Sequence, residues 1–383
     1  MSEAITVKPK VVHIIDTLRP GGAERVLVEL VNGLSRKNFD AEICITRNGT
    51  ELLSMLRSDI HTIVLNRLRT WDTKAIRQFA DYCRQQEIKI LHAHGRSSTL
   101  FAALIKGLLG NKLRLIFHDH YGAIQVNTYV PPLLKLVTKL WVDYYIGVDP
   151  FLQSWAINYL GLPPHRTSVL ENAIDLKTYL LTQNSPRISF EHIKQPFVAV
   201  MVANIHRIKN HPLLIKALAK TQWARINLHV LLVGAYKNDD YFNDCQALIA
   251  QHELTSNFTF LGSRLDIPAI LHSVDFGVLS SISESGPVVL LEYMASGLPF
   301  VVTETGQISS QVAQTGLDFF TPPGDVDAFA NALDKMVCSS KTHLEILSQK
   351  GRELVSEMYS IDRQVDRLLE IYATLMQSGK VKN

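Results

Sequence analysis

A chain of 383 residues is long enough for two domains with cores of their own, and 46% hydrophobic with 20% charged residues describes an ordinary globular protein. The net charge of +3 is too small to argue for a nucleic-acid partner, no apolar run approaches a membrane span, and residues 1–10 lack the apolar stretch of a signal peptide. Four scattered cysteines, Cys44, Cys83, Cys245 and Cys338, have neither zinc-ligand spacing nor the look of a disulfide framework, so a reducing cytoplasm is the expected setting.

The first half alternates strand and helix. Residues 10–16 form a short apolar run that ends in Pro20-Gly21-Gly22, and residues 23–34 carry helical spacing through Val26, Leu27, Leu30, Val31 and Leu34. Gly21 and Gly22 would let a ligand approach the backbone where the helix starts, although the spacing is not the GxGxxG of dinucleotide-binding proteins. Strands are expected at 42–46, 61–65, 89–94, 113–118 and 145–148, with helices at 73–86, 97–107 and 130–145 and a last element at 168–175. Such alternation predicts a doubly wound α/β fold, a parallel sheet with ligand sites at the carboxyl ends of its strands. His92, His94, His118, Asp119 and His120 fall at such ends, and His94 and His118 are the candidates taken from them.

Residues 1–175 hold 21 Lys and Arg against 16 Asp and Glu, whereas the remainder holds 18 against 20. A basic first half fits an anionic surface or acceptor. Within it, the amphipathic helix expected at 130–145 sets Lys135 and Lys139 beside a broad apolar face. It would either pack on its sheet or lie on a membrane surface.

Polar, proline-broken residues 176–196 read as the interdomain linker, after which the pattern restarts. Strands are expected at 197–204, 227–234, 258–262, 274–281 and 299–305, and helices at 212–220, 241–252 and 328–337. From 344 onward the pattern is helical, with a frayed basic tail at 378–383. Lys209, just past the first strand of this half, is a candidate phosphate ligand. Residues 283–299, SESGPVVLLEYMASGLP, carry the densest signal. Pro287 suits a first helical turn, Ser285 or Gly286 its N-cap, and Gly297 its stop. Glu284 then lies on the loop in front of the helix and Glu292 in its second turn. Unpaired N–H groups and the helix dipole favour anions there, so acids that hold hydroxyl groups beside a phosphate-friendly helix end suggest a sugar nucleotide.

These stretches together resemble the retaining GT-B-fold glycosyltransferases of family 4 over almost the whole chain. The resemblance rests on PGGAE (20–24), LHAHG (91–95), FHDH (117–120), ENAID (171–175) and ANIHRIKNH (203–211), and most specifically on E-x7-E from Glu284 to Glu292, followed by MASGLP and PPGD. It implies two Rossmann-like domains facing a cleft. Residues 1–176 would supply the acceptor side and residues 177–360 the nucleotide-sugar site, with residues 361–383 crossing back onto the first domain. It also implies that Glu284 contacts the donor sugar and Glu292 the ribose. Lys209 would hold the diphosphate with the backbone of Gly286, Pro287 and Val288. His118 would sit by the sugar being transferred, Gly21 and Gly22 would approach the same cleft, and His94 and Asp119 would belong to the acceptor side. Asn204 stands where family members often carry Arg, which leaves Arg207 as the nearby candidate for the phosphates, and Asn172-Ala173 replaces the common NG.

The implied reaction needs a nucleotide-sugar donor and a glycan or glycolipid acceptor, with no cofactor, no metal and no protein nucleophile. Its setting would be the cytoplasm, either free or peripheral on the inner face of the plasma membrane. Asp325-Val326-Asp327 looks like the DxD of metal-dependent glycosyltransferases but opens a helix after PPG, as a capping turn does. Two rivals stand beside this reading. One is a metal-dependent hydrolase using the histidines of HAH and HDH, and the other a nucleotide-binding subunit without activity.

Overall fold

The computed structural model describes residues 9–123, 126–180, 188–190, 193–317 and 319–377. It divides into two compact units, Met1–Asn172 with Ile361–Asn383, and Ala173–Ser360.

The first unit runs β1 (Val11–Ile15), α1 (Gly22–Arg36), β2 (Ala41–Ile45), β3 (Thr62–Val64), α2 (Thr73–Gln85), β4 (Ile90–His94), α3 (Arg96–Leu109), β5 (Arg114–Asp119), α4 (Pro132–Trp141), β6 (Tyr144–Gly147), α5 (Pro150–Trp155) and β7 (Thr167–Val169). Among the described residues its strands form one sheet in the order β3-β2-β1-β4-β5-β6-β7, parallel at every pairing. Strands β1, β2 and β4 are buried along their whole length, which is why they read as mainly apolar runs, broken only by His13, Glu42, His92 and His94. Residues 130–145, expected as one helix, split into α4 and β6. Asp143 donates its backbone N–H to the Leu115 carbonyl and accepts the Leu115 N–H on its carboxylate, at 2.9 and 2.7 Å, and this draws the chain into the sheet beside β5. Helix α5 had no counterpart among the sequence expectations; Asp149 caps it and Pro150 opens it.

The C-terminal helix, Ile361–Gln377, is part of this unit. It packs on α1, where Val365 fits against Gly33 so closely that a Cβ there would stand 2.7 Å from its methyl group. Lys37 pairs with Asp366, and Arg367 donates to the Val169 carbonyl at 3.0 Å.

The second unit runs α6 (Leu176–Tyr179), β8 (Phe197–Val202), α7 (His211–Lys220), α8 (Ala224–Asn227), β9 (Leu228–Val233), α9 (Asp240–Gln251), β10 (Phe258–Gly262), α10 (Ile267–Leu271), β11 (Phe276–Leu279), α11 (Val288–Ser296), β12 (Phe300–Thr303), α12 (Gly306–Ala313), β13 (Phe320–Thr321), α13 (Val326–Cys338) and α14 (Lys341–Met358). Its described strands form a second parallel sheet, β10-β9-β8-β11-β12-β13. The division falls after Asn172 rather than after 176, because the Ile174 N–H bonds the Tyr359 carbonyl at 3.1 Å. The stretch expected as a linker begins as α6, with Tyr179 buried; residues 181–187 and 191–192 of it, like the tail 378–383, lie outside the described residues.

In each sheet the strand order reverses once, between β1 and β4 and between β8 and β11. At such a point neighbouring connections run to opposite faces and leave a crevice at the strand ends, where open α/β sheets bind ligands. Both candidate sites lie there.

Candidate active site

In the second unit the loop after β8 and the loop after β11 are tied together. The Ile282 N–H bonds the Ile208 carbonyl at 2.8 Å, and the Ser280 hydroxyl donates to the Lys209 and Asn210 carbonyls at 3.0 and 3.1 Å. That knot brings Lys209 Nζ to 2.5 Å from Glu284 Oε1, which also accepts from the Ser281 hydroxyl at 2.6 Å. Glu284 is buried, and Lys209 is partly exposed. Gly306 has φ +73°, and a Cβ on it would stand 2.8 Å from the Glu284 carbonyl oxygen, so the glycine lets the next loop close over the glutamate.

Helix α11 starts at Val288 with Pro287 as its N-cap, one position later than the sequence suggested, and Gly297 ends it. Proline at the cap leaves no side chain to satisfy the first free N–H groups, which stay available to an anion. Tyr293 anchors the helix. Its ring covers Gly277 of β11, where a Cβ would come within 2.5 Å, and its hydroxyl donates to the Val200 or Val278 carbonyl at 3.0 and 3.1 Å. One residue earlier, Glu292 is buried and accepts the Tyr179 hydroxyl at 2.7 Å. Thus Glu284 faces a lysine and Glu292 a tyrosine. Gly286, Pro287 and Val288 are buried at the loop-to-helix junction between the two acids. Arg207 is exposed, its guanidinium 5.5 Å from the Tyr241 ring centre, and Asn204 spends its side-chain oxygen on the Ala235 N–H at 2.8 Å. Asp325 caps α13 through the Ala328 N–H at 2.9 Å, and Asp327 pairs with Lys220 at 2.6 Å.

In the first unit a pocket of about 330 Å³ opens at the ends of β1, β4 and β5. Asp16, Glu24, His94, Arg96, Asp119 and His120 stand on its wall. Asp16 is the hub of its polar side. Burial alone would raise its carboxyl, but hydrogen bonds from Ser97 and Thr46 and the Arg67 charge outweigh that and hold it below the usual range. Arg67 is buried, 2.6 Å from Asp16. Asp119 lies 3.9 Å from Arg96 and accepts the Tyr145 hydroxyl at 3.3 Å, and its burial pushes the carboxyl up. Arg96 stacks on the rings of Tyr121 and Trp155, at 4.0 and 4.7 Å. Gly21 caps α1 and Gly22 begins it, with open space where a Gly22 Cβ would stand.

Beneath the pocket five histidines stack: His13 of β1, His92 and His94 of β4, His118 of β5 and His120 just beyond it. Strand register sets His13 beside His92 and His94 beside His118. Burial drives His13 and His120 down to about 3 and His92, His94 and His118 well below the ordinary imidazole range, and neighbouring rings add to the effect on those three, so the stack is neutral. Ring nitrogens of His13, His92 and His94, and again of His94, His118 and His120, lie within 4.8 Å of one another, close enough in principle for a metal. All but two of the ten ring nitrogens are already engaged, however, His118 Nε2 and His120 Nδ1 being buried without a partner among the described residues. His13 bonds His94, His94 bonds His120, and His92 bonds both His118 and Tyr372, at 2.7 to 3.1 Å. A metal would have to break that set.

Sequence reasoning missed His13, Tyr372, Asp16, Arg67, Arg96, Tyr179 and Ser281. The Asp16 and Arg96 positions had a signal, since Asp16 follows directly on β1 and Arg96 comes two residues after the end of β4.

Two doubly wound parallel sheets, each with charged groups at its switch point, define a two-domain, Rossmann-like α/β protein. Residues 20–178 match Glycosyltransferase Family 4, and residues 184–354 match Glycosyl transferases group 1. The UDP-Gal:alpha-D-GlcNAc-diphosphoundecaprenol alpha-1,3-galactosyltransferase of Escherichia coli is 24% identical over 389 residues, covering 96% of this chain and 98% of its own. The N-acetyl-alpha-D-glucosaminyl L-malate synthase of Bacillus anthracis is 22% identical over 316 residues, 81% of each. Among solved structures, Anabaena HepE in complex with UDP and glucose superposes with a TM-score of 0.82 at 18% identity, over 96% of this chain and 100% of that one. WaaG, a glycosyltransferase involved in lipopolysaccharide biosynthesis, superposes at 0.73 with 14% identity, over 94% and 99%. The chain is a glycosyltransferase with the GT-B fold.

Proposed function

We propose that this enzyme is a retaining transferase that moves a sugar from a nucleotide-diphosphate sugar to a hydroxyl of a polysaccharide or glycolipid precursor, with neither metal nor other cofactor. The observation that carries the reading is the Lys209–Glu284 pair, held by two knotted loops in front of the α11 N-terminus. In this reading Lys209, the backbone of Gly286, Pro287 and Val288, and Arg207 receive the diphosphate. Their positive potential stabilises charge on the leaving group. Glu284 bonds the donor sugar and Glu292 the ribose hydroxyls. Gly21 and Gly22 leave room for the donor, His118 attends the sugar in transfer, and His94 and Asp119 serve the acceptor. The sugar passes through an oxocarbenium-like state on one face, and the departing phosphate is the final base. The Escherichia coli relative is named for a UDP-sugar donor and a diphosphoundecaprenol acceptor, which supports a UDP-sugar and a lipid-linked acceptor here.

Helix α4 supports contact with an anionic membrane, in keeping with a cytoplasmic enzyme at the inner face of the plasma membrane. Leu133, Leu136 and Leu140 are exposed on it beside Lys135 and Lys139, while Leu134 and Val137 face the core. Among the described residues no helix is long and apolar enough to cross a membrane.

The test begins with thermal shifts against a panel of sugar nucleotides, where a ligand at a hundred times its Kd stabilises by about 2.7 kcal/mol. The stabilising donor is then incubated with lipid-linked acceptors, and the anomeric configuration of the product is read by NMR. Inversion removes the retaining assignment, and the lack of nucleotide release from any donor removes the reading.

A further inference from the structure

On the wall of the first unit's pocket, three buried nitrogens have no hydrogen-bond partner among the described residues: Arg96 Nε, Arg96 Nη2 and His120 Nδ1. Buried donors are nearly always bonded, and a guanidinium cannot shed its proton to escape the cost. Stacking on Tyr121 and Trp155 holds Arg96 in place instead, and the Trp155 indole N–H is itself anchored on the Thr128 carbonyl at 2.9 Å. Asp119 does not satisfy the arginine. Their 3.9 Å separation is beyond hydrogen-bond range, and the carboxyl accepts the Tyr121 N–H at 3.1 Å and the Tyr145 hydroxyl at 3.3 Å.

His120 gives its other nitrogen to His94 at 3.0 Å. Helix α3 opens at Arg96 without a side-chain cap, so its first N–H groups add positive potential to the same wall. The other acids of the pocket are occupied. Asp16 is paired with Arg67 at 2.6 Å and with Arg47 at 3.2 Å. Glu24 folds back over the start of α1, its carboxyl filling the place that a Gly21 Cβ would take. Burial pushes the Glu24 and Asp119 carboxyls up, which weakens their repulsion of an anion.

We infer that this pocket binds the phosphate of a phosphorylated acceptor, with Arg96 as its principal ligand. The inference rests on the glycosyl-transfer reading and gives the acceptor a chemical class. In that reading the donor diphosphate already has a cation and a helix end in the second unit, Lys209 and α11, so a further anion site in the first unit serves another molecule. The planar fork of Arg96 gives the phosphate two parallel N–H bonds, and His120 donates a third from Nδ1. Stacked rings let a guanidinium slide in its own plane, so a short shift turns its unbonded edge to the ligand. A neutral glycan would leave that edge unbonded and is selected against. At about 330 Å³ the pocket has room for more than the phosphate alone.

The test is calorimetric titration of the full chain with inorganic phosphate, glucose 1-phosphate and methyl glucoside, in a Lys209→Gln background that removes the second unit's cation. Arg96→Gln should weaken both phosphates by about ten- to a hundredfold, as the loss of hydrogen bonds to a charged group does. Arg96→Lys should fall between, because it keeps the charge without the fork. With Lys209 restored, UDP affinity should be unaffected by Arg96→Gln. Equal phosphate affinity with and without Arg96 overturns the site, as does glucose 1-phosphate binding no tighter than methyl glucoside. Weaker UDP binding in Arg96→Gln would give the anion to the donor and overturn the acceptor assignment. If Arg96→Gln does not fold, hydrogen exchange of the wild-type protein decides: phosphate should slow the amides of residues 96–98 and 119–121, and no change there overturns the site. Phosphate held by Arg96 in a protein that turns over no sugar nucleotide would sink the transfer reading and leave the site. Transfer to phosphate-bearing acceptors with an acceptor KM that Arg96→Gln leaves unchanged would do the reverse.

Discussion

Lys209 Nζ and Glu284 Oε1 stand 2.5 Å apart, so the cation assigned to the diphosphate is occupied by the carboxylate assigned to the sugar. A bound diphosphate must share or take over that lysine. Neutralising the glutamate should then leave free-nucleotide affinity unchanged or raise it. Sugar transfer loses a charged hydrogen bond worth about 1.5–3 kcal/mol, a fall in kcat of about ten- to a hundredfold. Calorimetric titration of Glu284→Gln with the nucleotide product, beside initial rates, checks both. Weakened nucleotide binding in this variant would reverse the assignment.

Glu292 should behave in the opposite way. Ribose is held alike before and during transfer, so Glu292→Gln should raise the donor KM and weaken the nucleotide by about ten- to a hundredfold with kcat little changed. Tyr179→Phe removes the hydroxyl that holds this carboxylate and should cost about 1 kcal/mol of stability with a smaller loss of affinity. Because the two residues touch, the double variant should lose less affinity than the sum of its parts, as a double-mutant cycle would measure.

The buried histidines fix the direction of the pH dependence. An unfolded imidazole titrates near 6.5, whereas folded His13 and His120 titrate near 3. Between these values the unfolded chain binds more protons, so stability is fully present above about pH 6.5 and is lost as pH falls toward 3. Each such histidine removes up to about 1.4 kcal/mol per pH unit in that window. Urea midpoints measured from pH 7.5 to 4 should fall steadily, and His13→Gln should flatten the decline. A pH-independent midpoint would contradict neutral burial.

Asp325 is used as a cap. Asp325→Ala should cost about 1 kcal/mol of stability and leave transfer intact, and transfer should survive excess EDTA. Activity that vanishes on chelation and returns with Mn²⁺ or Mg²⁺ would overturn the metal-free proposal.

Helix α4 offers a membrane test. Binding to vesicles rich in phosphatidylglycerol should weaken as salt rises and weaken further in the Lys135→Glu, Lys139→Glu double variant. If the wild-type protein does not sediment with such vesicles at low salt, the three exposed leucines serve another purpose.

The parallel sheets were legible because strands buried on both faces spell unbroken apolar runs, as in Phe276–Leu279. Glu284, Glu292 and Lys209 were legible because helix signals and strand ends localise them. Helix α5 carried its own signal in Asp149-Pro150, a cap followed by a proline suited to the first turn, whereas α12 is short and offers only the pair Ile308 and Val312 as apolar spacing. HAH and HDH each put two rings on one face of a strand, since side chains alternate. What no local pattern could supply is the hydroxyl that joins them, because Tyr372 meets the stack only through tertiary packing. The Lys209–Glu284 contact was hidden for the same reason: spacing locates each charge but not the partner it meets.

The helix Ile361–Gln377 completes a unit that otherwise ends at Asn172. On the ribosome the first sheet emerges long before Val365, Leu368 and Tyr372, which are buried once the unit is assembled. Until then α1 has an uncovered apolar flank, and His13 and His92 lack a shared partner. The second unit is contiguous and can mature first. Synthesis stalled before residue 361 would therefore strand a half-built amino-terminal unit, a natural substrate for chaperones, and a nascent chain gains its finished histidine stack only after Tyr372 has been translated.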